Sequence, residues 1–79
     1  MKGVSMKMVF DYSALKGAMR FRGYTLEKLA AATGIGMSTL ASHMSRGTPF
    51  RVDQVISISQ VLDLNPIEPY FLALKTSKN

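Results

Sequence analysis

Cysteine is absent from this 79-residue chain. That excludes a disulfide framework and any thiolate metal site, and it fits a reducing compartment. The one histidine, His43, excludes a histidine-cluster metal site as well. Acidic side chains are scarce: five Asp/Glu stand against ten Lys/Arg, for a net charge of +5. Such an excess favours a polyanionic partner. The carboxylates are scattered, and no nucleophile–base pair is visible, so the expectation is a protein that is not an enzyme and carries no cofactor and no metal. Long apolar runs are missing too. No stretch approaches the length that spans a bilayer, and residues 1–13 lack the continuous apolar centre of a signal peptide. No membrane partner and a cytoplasmic location are therefore expected. What is present is a globular balance, 47% hydrophobic with 19% charged. At this length we expect one complete domain with a thin stability margin, unless helix packing is efficient or a partner subunit helps.

The most organised stretch is 25–47, TLEKLAAATGIGMSTLASHMSRG. It reads as two short amphipathic helices joined by a glycine-bearing turn. Thr25 is a good N-cap, and Leu26, Leu29 and Ala30 follow at helical spacing. Gly34 sits where the chain must reverse, because glycine enters the left-handed region without a Cβ clash. The second helix is expected over 36–46, with Leu40 and Met44 on one face. At about 100° per residue, Ser38, Thr39, Ser42 and Arg46 fall on the other side. That side is small, hydroxyl-rich and ends in a cation.

Around this pair, residues 1–9 read as an extended arm whose final Val9, with Phe10, tucks into the core. Within it Met6 and Met8 are alternative starts, and Lys2 and Lys7 are either a basic arm or merely solubilising. Asp11 is a plausible N-cap for a helix over 12–21, with Leu15, Ala18 and Met19 inward and Lys16 and Arg20 four apart on another face. Gly23 ends it. Pro49 makes 48–50 a loop, with Phe50 as a plug under the helix pair. Over 51–62, Val52, Val55, Ile56, Ser59 and Leu62 form one apolar face, widened by Ile58 and Val61; its β-branched residues keep a strand alternative open. Asn65-Pro66 restarts a short helix, which Pro69 limits. The tail 75–79 should fray. The expected architecture is all-α: a single compact five-helix domain over 10–74.

The pattern Thr25-x-x-x-Leu29-Ala30-x-x-x-Gly34-Ile35-x-x-Ser38-Thr39-Leu40 resembles the helix-turn-helix of the lambda-repressor-like regulators. Phe10-Asp11-Tyr12-Ser13-x-Leu15, Pro49-Phe50 and the stretch 66–71 are similar to small Cro-type regulators of phages and prophages of Gram-positive bacteria. The resemblance covers roughly 9–72. It implies a homodimer that binds palindromic double-stranded DNA operators and represses transcription, with the second helix of the motif in the major groove. Carried over by position, Met37, Ser38, Thr39 and Ser42 would meet bases, Met37 being equally placed to join the core. Thr25, Ser45, Arg46 and Thr48 would meet phosphates. The basic ridge of Lys16 and Arg20 is either a further phosphate anchor or an ordinary solvated face. Arg22, Lys28 and Arg51 are weaker phosphate candidates, and His43 is expected to be solvated or near a phosphate. Tyr70, Phe71 and Leu72 are either core or dimer interface.

The chain departs from the family at Leu26 and Met37, where members often carry Gln and another polar residue. A bidentate amide contact, worth about 1 to 3 kcal/mol of discrimination, is missing at both. Base reading then falls to hydroxyls, a methionine and DNA shape. The competing reading keeps the fold but makes the chain an antirepressor or protein-interaction module that binds another phage regulator protein.

Overall fold

The computed structural model describes residues 9–74. Within them the chain is a compact, mostly helical globule of five helices and no strand: α1 Ser13–Phe21, α2 Leu26–Thr33, α3 Met37–Arg46, α4 Val52–Leu62 and α5 Glu68–Phe71. The sequence readings of 1–8 and 75–79 lie outside the described residues.

Local chemistry sets most of the helix ends. Asp11 stands one residue outside the α1 N-cap, Tyr12, and its Oδ1 accepts from the Ser13 amide at 2.9 Å and the Ser13 hydroxyl at 2.6 Å. The expected cap therefore acts from one position further out, still satisfying a first-turn donor. At the other end, Gly23 lies at φ 74, its amide reaches the Arg20 carbonyl at 3.1 Å, and the Tyr24 amide reaches that of Met19 at 2.7 Å. This pair of bonds is a Schellman closure, and it needs the left-handed conformation that glycine adopts freely.

The helix α4 settles the question of helix or strand, but its inward face differs from the expectation. Ile58 and Leu62 are fully buried and Val55, Ser59 and Val61 half-buried, whereas Val52 is 76% and Ile56 51% exposed. A helix with apolar residues on nearly every side does not choose its own inward face. Packing against α2 chooses it. The reading of 65–71 is corrected as well: residues 64–67 form a bend containing a cis Asn65–Pro66 bond, and α5 begins only at Glu68. Pro69 lies in the first turn, where a missing N–H breaks no helical bond, so it starts the helix and does not limit it.

The largest fully buried side chains are Leu15, Leu29, Leu40, Ile58 and Leu62, drawn from α1, α2, α3 and α4. Each is worth about 1.5 to 3 kcal/mol of hydrophobic stabilisation relative to exposure. Phe71 adds the contribution of α5, which packs on α1. Phe10 closes the chain ends. It is buried as expected, its amide donates to the Gly47 carbonyl at 2.8 Å, and it bridges Leu74 in antiparallel fashion.

Candidate nucleic-acid interface

The helix pair α2–α3 is held by a three-residue connection, 34–36. Thr25 Oγ1 accepts from the Lys28 amide at 3.1 Å, which is the N-cap bond the sequence called for. Thr33 fastens the other end: its hydroxyl donates to the Leu29 carbonyl at 2.7 Å and accepts from the Ile35 amide at 3.2 Å. Gly34 turns the chain at φ 79, and the half-buried Ile35 packs against the core. Gly36 is the N-cap of α3, so that helix begins at Met37, one residue later than expected.

The two faces of α3 separate as its periodicity demands. Leu40 and Met44 are buried, while Met37, Ser38, Thr39, Ser42, Ser45 and Arg46 are exposed. Met37, for which core and surface were both open, is 50% exposed and lies in the first turn. The outward face thus combines an apolar thioether, several hydroxyls and, in the last turn, a cation. Ser45 Oγ donates weakly to the Ser42 carbonyl at 3.3 Å, which leaves its oxygen able to accept.

Beside this face is a cleft of about 510 Å³ between α1, the start of α2 and the second half of α3. Its edges carry Lys16, Arg20, Thr25 and Ser45. Four phosphate candidates spread over thirty residues of sequence therefore stand around one opening. Among the described residues, Lys16, Arg20 and Arg46 have no carboxylate within 4.0 Å. By contrast, Arg51 is paired with Asp53 at 3.3 Å and Arg22 with Asp63 at 3.7 Å. Both of those weaker phosphate candidates have their charge answered locally. The side chains of Lys28 and Arg46 are exposed.

His43 is less solvated than expected, while Thr48 stays exposed. His43 is half-buried, its Nδ1 lies 2.7 Å from Thr48 Oγ1, and its ring sits 4.6 Å from that of Phe50. It is a packing residue at the end of the motif and not a solvated one. The Thr48 carbonyl accepts from the Tyr12 hydroxyl at 2.6 Å. Burial pushes the Tyr12 hydroxyl above its ordinary pKa, a backbone hydrogen bond at Phe50 partly opposing it. Phe50 is the expected plug: it meets Tyr12 edge-on at 5.3 Å and Phe71 at 5.8 Å, and so ties the end of α3 to α1 and α5. No local spacing in the sequence announces the His43–Thr48–Phe50 group, because it forms only when the loop after α3 folds back.

The three interface candidates part company. Phe71 is buried in the core, Tyr70 is half-buried, and Leu72 is 56% exposed. Only Leu72 offers most of its side chain to a second molecule. It borders an apolar groove of about 250 Å³ with Val52 and Ile56, over a floor of Val55, Ile67 and Phe71. Sequence reasoning missed Val52 and Ile56 as surface because it assigned them inward.

Among the described residues, no three His, Asp or Glu side chains stand close enough to hold a metal ion, and no helix is long and apolar enough to cross a membrane. No protein-family model matches the chain, and no curated protein matches it.

Proposed function

We propose that the chain is a DNA-binding transcriptional regulator of the lambda-repressor-like helix-turn-helix class, acting as a Cro-like homodimeric repressor. The carrying observation is the convergence of Lys16, Arg20, Thr25 and Ser45 at one edge of the exposed, hydroxyl-bearing face of α3. In this reading α3 enters the major groove. Ser38, Thr39 and Ser42 meet base edges, and Met37 packs against thymine methyl groups. The cations and hydroxyls at the cleft edge hold the neighbouring backbone, with the amides at the start of α2 adding donors. Arg46 anchors the far end. Thr48 contributes its position more than its hydroxyl, which His43 already engages.

Palindromic operators require two copies, and the exposed strip of Val52, Ile56 and Leu72 supplies the self-complementary apolar patch that a two-fold interface uses. Binding to DNA flanking the chain's own gene, followed against salt, tests the reading. With three cations per copy on phosphates, Lys16, Arg20 and Arg46, the affinity falls steeply as salt rises, log K changing by about 0.9 per neutralised phosphate per decade. Alanine at Ser38 and Ser42 lowers discrimination between operator and random duplex. Alanine at Arg46 weakens binding to both and lowers the salt slope by about one. A flat salt response, or no binding to any DNA from the parent replicon, overturns it.

A further inference from the structure

The cleft between α1, α2 and α3 is larger and more apolar than a phosphate seat requires. A phosphate oxygen needs donors and cations; it gains nothing from a greasy floor. Yet the floor here is built from Met19, Leu26, Ala41 and Met44, under a volume of about 510 Å³. That size and lining lie within the range of sites that enclose small organic molecules, roughly 300 to 1,000 Å³. Two of the floor residues are methionines, whose flexible thioethers adapt to irregular guests. Leu26, at the start of α2, adds a branched aliphatic wall beside them.

The edge gives the site its sign. Lys16 and Arg20 stand over the cleft, Thr25 and Ser45 add hydroxyls, and no carboxylate lines it. Neither cation is claimed by an acidic side chain among the described residues. We propose that this cleft binds a free amphipathic anion, a carboxylate with an aliphatic body of medium length. The body lies on Met19, Leu26 and Met44 and the head is held by Lys16 and Arg20. Resting on the DNA-binding reading above, a further consequence is that an occupied cleft excludes a backbone phosphate, so that the ligand releases DNA.

Decanoate, below its micelle concentration, is the probe. The full chain, free of DNA, is titrated while amide and methionine-methyl resonances are followed by NMR, with acetate as the comparator that lacks the aliphatic body and 1-decanol as the one that lacks the charged head. Saturable shifts at Met19, Ala41 and Met44 with decanoate, and at least roughly tenfold weaker binding for acetate and decanol, are expected from losing either the apolar contact or the charge-assisted bond. K16Q/R20Q changes two exposed side chains, so it should fold, and it should weaken decanoate by about tenfold or more while leaving decanol unchanged. L26Q should weaken both. Shifts confined to Val52, Ile56 and Leu72, equal binding of decanoate and decanol, binding only to anionic vesicles, or no saturation overturns the site. A second arm measures duplex affinity with and without decanoate. Cleft binding without loss of DNA affinity overturns the exclusion alone. Failure to bind DNA in the absence of decanoate overturns the regulator reading and leaves the cleft site standing on the NMR result.

Discussion

Replacing Gly47 by alanine should damage this fold more than the same change at any other described glycine. Among the described residues three glycines lie at positive φ, at 74, 79 and 71 for Gly23, Gly34 and Gly47. Alanine at each costs about 1 to 2 kcal/mol for the left-handed backbone alone. Around Gly23 and Gly34 nothing lies within 4 Å of an added Cβ. Around Gly47 an added Cβ would stand 2.8 Å from the Phe10 carbonyl oxygen, 3.1 Å from the Phe10 nitrogen and 2.5 Å from Val9 Cγ1. The Val9 methyl can rotate away. The Phe10 backbone cannot retreat without breaking its own 2.8 Å bond to the Gly47 carbonyl. Overpacking of this kind adds about 1 to 3 kcal/mol, so G47A should lose about 2 to 5 kcal/mol in all. A domain of this size has about 4 to 12 kcal/mol to lose. Urea unfolding and thermal melts on G47A, G34A and G17A form the assay. Gly17 lies inside α1 with open space around it and no positive φ, so G17A should gain about 0.5 to 1 kcal/mol from helix propensity. G34A should fall between the two, with a Tm at least about 4 °C above that of G47A. Equal losses for G47A and G34A would refute the close approach of residues 9 and 10 to the end of α3.

The bond from Tyr12 to the Thr48 carbonyl predicts that Y12F loses about 1 kcal/mol in urea unfolding at neutral pH. The Tyr12 pKa is raised in the fold, so the native state holds this proton more tightly than the unfolded chain. Its contribution is complete below the ordinary tyrosine range near 10 and declines as pH rises through the folded value, and the alkaline loss of stability should be shallower in Y12F than in wild type. On the exposed apolar strip, I56E should abolish self-association in sedimentation experiments while the melting curve of the dissociated chain barely changes, because Ile56 is half outside the core. A wild-type chain that stays monomeric at high concentration would rule out this face as a self-interface and favour the reading in which it grips a different regulator.

What the sequence could reveal divides along the range of the interactions involved. The α2–α3 pair was legible because its determinants are local: a hydroxyl cap at Thr25, a left-handed glycine at 34 and a four-residue apolar spacing from Leu40 to Met44. None of these needs the rest of the chain. The same logic explains the small errors, since a cap at Asp11 or a proline at 69 states that a helix starts nearby without stating at which residue. Larger errors occurred where the sequence was locally ambiguous. Helix α4 carries apolar residues all round, and only contact with α2 decides that Ile58 turns inward and Ile56 outward. His43 likewise could not be placed until Phe50 folded back beneath it. The cleft belongs with these long-range features, because its basic edge comes from α1, its cap from α2 and its floor partly from α3. Individually, Lys16, Arg20, Thr25 and Ser45 are ordinary surface residues. It is the packing of three helices that turns two solvated cations into the rim of an apolar cleft, a juxtaposition that no single side chain on α3 could announce.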